Sequence, residues 1–364
     1  MRSIEQIENI KGKTVLLRVD FNVPIKNGEV EDDFRIRASL PTINFLLEKG
    51  AKILLITHLG KGLSASGGMV ADLEPVIKRF WEISKLEKDK IEFFDNIRKF
   101  PEEEKNDLEF AKKLSKMGDV YVNDAFSVSH REHASVVTLP KLLPSYAGFQ
   151  LEKEVKNLSR AFHKPEHPFL FILGGAKFST KIPLIQKYLE LADEVFIGGA
   201  LANDFLKAKG YEVGKSLVDD TNYDIKKVLE NKKLILPVDV VVKSGDKFIN
   251  KKVNEVGKDE IILDIGNETV KNLALLVEKS KFILWNGPLG KYEAGGAKST
   301  KEVLKSVLNS NTQTIIGGGD LVSVFSSLDP RTYKLEPNVF VSTGGGATLD
   351  FLANGTLPGI KALG

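Results

Sequence analysis

Glycines in the second half of the chain fall where backbone alone could hold a polyphosphate. Gly174-Gly175-Ala176-Lys177, Gly198-Gly199, Asn286-Gly287-Pro288 with Gly290, Gly317-Gly318-Gly319-Asp320 and Gly344-Gly345-Gly346 each follow a short apolar run. Lacking a Cβ, glycine lets peptide N–H groups approach an anion, and a helix that follows adds its positive end. One such cluster reads equally as a tight turn between strand and helix. Repetition on what would be one sheet edge points to a polyphosphate. Lys177 and Lys181 stand four residues apart at an expected helix start, so both would face one way and carry phosphate charge. Asp320, after three glycines, suits a carboxylate that meets Mg²⁺ and also suits a helix N-cap.

The first half carries cationic chemistry at corresponding points. Asp20 and Asn22 follow one apolar run, and Arg35 and Arg37 sit near the next helix start. His58 and Lys61 follow the second run, Arg98 the third, and Asp124, His130, Arg131 and His133 the fourth. Arginine grips carboxylate and phosphate with two parallel bonds, so this edge fits a small, multiply anionic molecule. His130 and His133 read as a packed loop pair rather than a metal site, because no third ligand stands at a recognisable spacing.

Two look-alikes are set aside. The stretch from Gly210 to Ser216 (GYEVGKS) is one residue short of a P-loop and follows a helix, so it reads as a surface turn. No GxGxxG with a later ribose-binding acid stands at the first strand-to-helix turn, which argues against a dinucleotide.

These residues need a scaffold that lines them up. Short apolar runs at residues 14–19, 52–57, 91–94 and 120–122 alternate with helical stretches at 36–49, 73–85 and 108–117. The alternation resumes with runs at 169–173, 194–197, 234–237, 282–285, 314–316 and 339–342. The pattern predicts α/β architecture: two three-layer, Rossmann-like domains with parallel sheets of similar construction, joined by a hinge helix. The expected divisions are a first domain at 1–150, a hinge and linker at 151–168, a second domain at 169–347 and a tail at 348–364. The 364 residues suit two cores. With 52 basic against 49 acidic side chains, the net charge of +3 is too small for a protein that coats nucleic acid. The absence of cysteine excludes disulfides and thiolate chemistry. The first residues lack the apolar core of a signal peptide, and no run reaches membrane-spanning length, so the expected location is cytoplasmic.

The chain resembles the phosphoglycerate kinase family from end to end. The matching segments are RVDFNVP (18–24), THLGKG (57–62), NDAFSVSHREHAS (123–135), ILGGAKFSTKI (172–182), WNGPLGKYE (285–293), IIGGGDL (315–321) and STGGGATLDFLANGTLPGIKAL (342–363). The resemblance implies phosphoryl transfer between 1,3-bisphosphoglycerate and ADP, giving 3-phosphoglycerate and ATP, with Mg²⁺. It assigns Asp20, Asn22, Arg35, His58, Lys61, Arg98 and Arg131 to the phosphoglycerate. It assigns Gly175, Lys177, Lys181, Gly199, Leu263, Asn286, Glu293, Gly318, Gly319, Asp320 and Leu321 to the nucleotide. Leu263 would lie near the adenine, Glu293 at the ribose and Asp320 at the metal. Arg35 and Lys177 would be catalytic, with Gly344, Gly345 and Gly346 at the transferring phosphate. The tail, from about Thr348, would return to the first domain, and the family's habit is a monomer. Lys61 stands where the family usually has arginine, Thr180 replaces a common aspartate, and Lys99 and Lys291 replace apolar residues. Two other readings remain: a nucleotide- or metabolite-binding paralogue without turnover, and a kinase for another small carboxylate.

Overall fold

The computed structural model describes residues 1–60, 70–176, 178, 181–219, 225–328 and 338–364. The chain divides into two compact units. One comprises Met1–Lys156 with Asn354–Gly364, the other Asn157–Ala353. The division falls inside the continuous helix Phe149–Ser159, and the return to the first unit begins at Asn354 rather than at Thr348.

The first unit holds a five-stranded parallel sheet in the order Ile91–Phe93, Lys52–Ile56, Thr14–Arg18, Val120–Asn123 and Ser145–Ala147. Nearly every residue of Thr14–Arg18, the central strand, and of its neighbour Val120–Asn123 is buried, as expected for a parallel sheet covered on both faces. Ser145–Ala147, only three residues long, carries no such run and was not among the expected strands. The tail docks in this unit, where Gly359 N–H donates to the Ser129 carbonyl at 2.8 Å. A Cβ on Gly359 would lie 2.7 Å from Val136, so only glycine fits there.

The second unit holds a six-stranded parallel sheet in the order Leu234–Ile235, Glu194–Ile197, Phe169–Leu173, Phe282–Asn286, Gln313–Gly317 and Val339–Val341. The expected strand at 234–237 shrinks to two residues. The two parallel sheets are alike in construction, as expected, but a further sheet was not among the expected elements. The second unit adds a three-stranded antiparallel sheet of Lys247–Lys252, Asp239–Ser244 and Ile261–Ile265. The hairpin turns at Gly245, whose φ of +59° suits the tight reversal.

Asp239 ties this added sheet to its neighbour helix, Asn267–Lys279. Its buried carboxylate accepts the Glu268 and Thr269 N–H groups at 3.0 and 2.8 Å and the Asn250 amide at 2.9 Å. It therefore caps a helix from a distant strand. Asp239→Ala leaves those donors unmade inside the protein, so we expect a loss of about 2–3 kcal/mol in urea unfolding without a change in fold. An unchanged midpoint would mean that water replaces the cap.

Candidate functional site

Numbered along the chain within each unit, the parallel strands run 3-2-1-4-5 and 3-2-1-4-5-6. In both sheets the connections leave strands 1 and 4 in opposite directions, which opens a crevice beyond their carboxyl ends. Many of the sequence-predicted residues that are described lie at these two crevices.

In the second unit the crevice lies between Phe169–Leu173 and Phe282–Asn286. Here the turns pack backbone against backbone. A Cβ on Gly174 would stand 2.0 Å from the Pro288 carbonyl oxygen, and one on Gly199 would stand 2.7 Å from the Gly175 nitrogen. Any side chain at either position would force the turns apart. Beside them is a cavity of about 420 Å³. Gly175, Gly199, Leu263, Glu293 and Asp320 line it, with apolar walls from Leu206, Pro237, Val240, Ile262 and Leu289. Much of one wall is the added antiparallel sheet.

Lys181 is buried and precedes the helix Ile182–Leu191 instead of lying within it. Its Nζ donates to the Gly174 carbonyl at 2.7 Å. Burial lowers its pKa to about 8, with the Asp320 charge opposing. Lys177, its expected partner, lies outside the described residues, as do Lys61 and Thr180. Asn286 is buried at its strand end, with an amide nitrogen that has no hydrogen-bond partner among the described residues. Gly318 and Gly319 open the helix Gly319–Ser326, and Gly346 opens Gly346–Asn354 behind Gly344 and Gly345, so two helix N-termini reach this edge. Leu321 faces the other way: it is fully buried in the core, and its part is packing. Among the described residues no cluster of three His, Asp or Glu side chains could hold a metal by itself. The single exposed carboxylate of Asp320 fits a Mg²⁺ whose other ligands are phosphate oxygens and water.

The loop from Gly210 to Ser216 corrects its sequence reading in part. It is not a phosphate loop, yet it is pinned. Lys215 N–H donates to the Glu260 carbonyl at 2.8 Å, Ser216 Oγ accepts Ile262 N–H at 2.8 Å, and Lys215 lines the cavity.

In the first unit the crevice lies between Thr14–Arg18 and Val120–Asn123. Asp20 is buried there, and its carboxylate accepts Arg35 NH1 at 2.7 Å and the Ser127 hydroxyl. Burial alone would raise the Asp20 pKa; the Arg35 charge, with help from His58, Ser127 and the Asn22 N–H, lowers it to about 2. Asn22 bridges two loops: its carbonyl accepts Arg35 at 3.1 Å and its side-chain oxygen accepts Gly60 N–H at 2.8 Å. Asp20 and Asn22 thus brace Arg35, whose half-buried guanidinium keeps further donors.

His58 is buried with Nδ1 3.8 Å from Asp20 Oδ1, too far for a hydrogen bond. Burial holds its pKa well below 6.5, and Arg18, Arg98 and Arg131 push the same way against Asp20. His133 falls to about 3 for the same reasons. Arg98 is buried and pairs with Glu104 at 2.7 Å; its Nε and one terminal nitrogen have no partner among the described residues. Arg131 lies exposed. Arg37 turns away to Asp33. Sequence reasoning missed Arg18, Glu103, Ser127 and Ser135, which are buried around this edge. A basic residue ending the apolar run TVLLR was a signal for the first of them.

A family model described as phosphoglycerate kinase matches residues 4–355. Phosphoglycerate kinase from Finegoldia magna is 40% identical over 390 residues, covering 98% of this chain and 97% of the relative. The enzyme from Dictyoglomus turgidum is 39% identical, covering 98% and 96%. Among solved structures, the Coxiella burnetii phosphoglycerate kinase matches with TM-score 0.82 at 34% identity, covering 99% of this chain and 98% of that one. The Pyrococcus horikoshii enzyme matches with TM-score 0.85 at 30% identity, covering 100% and 98%. The chain belongs to the phosphoglycerate kinase family.

The Asp20–Arg35 pair has a pH signature. A carboxyl whose pKa drops from 3.8 to about 2 on folding adds stability above pH 4 and loses it as pH falls toward 2. The shift corresponds to about 2 kcal/mol. Asp20→Asn should therefore be less stable than wild type by roughly that amount at pH 6, and the gap should narrow between pH 4 and pH 2.5 in denaturant titrations. A gap that stays constant across this range would show that the ionised pair contributes nothing.

Proposed function

We propose that this chain catalyses reversible phosphoryl transfer between 1,3-bisphosphoglycerate and ADP, giving 3-phosphoglycerate and ATP. One observation carries the reading: the family match spans residues 4–355 and includes the residues at both crevices. On this reading Asp20, Asn22, Arg35, His58, Lys61, Arg98 and Arg131 form the phosphoglycerate site of the first unit. Gly175, Lys177, Lys181, Gly199, Leu263, Asn286, Glu293, Gly318, Gly319 and Asp320 form the nucleotide site of the second, with Leu321 packed beneath. Asp320 would hold the Mg²⁺ of the nucleotide, and that ion would neutralise phosphate charge.

The acceptor in the direction of ATP use is a carboxylate. With a pKa near ~3.5 it is already ionised at neutral pH, so the reaction needs no general base. Neutral, buried His58 and His133 agree with that. Catalysis reduces to positioning and charge neutralisation, for which Arg35, Lys177 and the N–H groups of Gly344–Gly346 are suited. Each ligand is assigned to its own unit, so transfer calls for hinge bending about the connecting helix, and closure would shield the acyl phosphate from water. A cytoplasmic monomer completes the proposal; among the described residues no helix is long and apolar enough to cross a membrane.

A coupled assay with 3-phosphoglycerate and Mg-ATP tests the activity. Binding of ATP without turnover would favour the paralogue reading, and turnover confined to another acid would favour the other-carboxylate kinase. Within an active enzyme, Arg35→Ala should lower kcat roughly 10²-fold, as for a lost transition-state donor; near-normal turnover removes Arg35 from the chemistry.

Lys181 supplies a second test. With its pKa at about 8 it loses its charge as pH rises from 7 to 9.5, while a bound phosphate would favour the charged form. ADP affinity should fall roughly 10-fold over that range, and ADP binding at pH 8.5 should take up protons in calorimetry. In Lys181→Arg both effects should vanish. Retention of either in the variant would assign the titration elsewhere.

A further inference from the structure

Glu103 is fully buried beneath the cationic edge of the first unit and has no part in the reaction as described above. Its two carboxylate oxygens accept Ser135 N–H at 2.8 Å and the Ser135 hydroxyl at 2.6 Å. The same Ser135 oxygen accepts Arg18 Nε at 2.9 Å, so its own proton is free to go to Glu103. Both carboxylate oxygens are therefore acceptors. Tyr121 OH donates to the Ser135 carbonyl at 2.7 Å and fixes the serine from the other side.

Arg18, also fully buried, is the far end of this relay. Its NH1 donates to the Val19 carbonyl at 2.5 Å and approaches the Ile56 carbonyl at 3.5 Å. Val19 directly precedes Asp20, and Ile56 lies two residues before His58. One guanidinium thus ties together the ends of two adjacent strands, Thr14–Arg18 and Lys52–Ile56, from which the anion-binding loops depart. Burying a guanidinium calls for a matching charge. The Glu103 carboxylate supplies it, linked to Arg18 Nε through one serine, while Arg18 NH2 has no hydrogen-bond partner among the described residues. Glu103 also lies within electrostatic reach of Arg98 and stands 3.8 Å from His133 Nδ1.

We propose that Glu103 is a positioning residue for the acid substrate: through Ser135 it locks Arg18, and Arg18 sets the loops that carry Asp20 and His58. The proposal rests on the phosphoglycerate reading of that edge. Glu103 touches no reacting atom; it acts on binding through geometry.

Two variants test it. Glu103→Gln places an amide against two donors and removes the charge that matches Arg18. Ser135→Ala keeps both charges and deletes the relay. In folded protein, Glu103→Gln should raise KM for 3-phosphoglycerate roughly 10-fold, the scale on which a misplaced binding group acts. Ser135→Ala should raise it about 5-fold, equivalent to one lost hydrogen bond. In both, kcat should change less than KM, and the ADP dissociation constant should stay at the wild-type value. A merely structural role would lower the melting temperature without this split. If Glu103→Gln does not fold, Ser135→Ala decides. KM values unchanged in every folded variant, or ADP affinity falling in parallel, overturn the proposal. Should wild type fail to turn over 3-phosphoglycerate, the functional reading falls first, and the relay is judged by inorganic phosphate binding to the same variants. Weaker binding than wild type then upholds it, and equal binding sinks it.

Discussion

Reversal of strand order at the centre of a parallel sheet is the constraint on which the rest depends. Once connections leave neighbouring strands in opposite directions, no helix can cover the gap beyond their carboxyl ends. Each unit has one such gap, and the chain spends its unusual residues there. The backbone groups that end a strand would otherwise face an unfilled crevice. In the second unit glycines let the turns close on one another, as Gly174 does against Pro288. In the first, charged side chains fill and brace the space.

The two solutions differ in how they make a place for an anion. Backbone N–H groups and helix ends carry partial charge at no desolvation cost beyond that of folding, so the second unit can keep its cavity largely apolar. Guanidinium groups carry full charge and must be matched when buried. The first unit matches them at several points: Asp20 with Arg35, Glu104 with Arg98, and Glu103 near Arg18 through a serine. Donors left over from these pairs, such as the buried Arg98 Nε, have no hydrogen-bond partner among the described residues. A site of the first kind tolerates changes of side chain poorly because it is made of glycine. One of the second kind depends on residues far behind the surface.

That difference governs what could be read from the sequence. The longer parallel strands were legible because strands buried on both faces are apolar along nearly their whole length, as FLFIL and the first four residues of FILWN are. The glycine turns were legible because only glycine serves there. The antiparallel hairpin around Gly245 was not, because its outer strand is mostly exposed and lysine-rich and so lacks a hydrophobic period. Pairings were the least legible. Asp20 and Arg35 lie fifteen residues apart and Glu103 and Ser135 thirty-two, and nothing local marks them as partners. Asp20 accordingly reads as a ligand for substrate in the sequence and as a brace for Arg35 in the fold. Lys181 likewise reads as a helix residue, whereas the turn at Gly174 draws its ammonium group in.

Crowding of cations around two imidazoles also bears on the type of chemistry the edge can support. Burial disfavours a proton on His58 or His133, and the nearby charges of Arg18, Arg98 and Arg131 push the same way, which is why both rings stay neutral well below physiological pH. Neutral rings that titrate far from pH 7 are poor shuttles, since a general base works best with a pKa near the operating pH. The two imidazoles then add no change of charge to the edge across the neutral range, whereas burial pushes the Asp124 carboxyl up to about 7. Such an edge can recognise an anion by fixed charge and hold it in register. Its imidazoles are ill suited to removing a proton, and a carboxylate that arrives already ionised is the acceptor that makes no such demand.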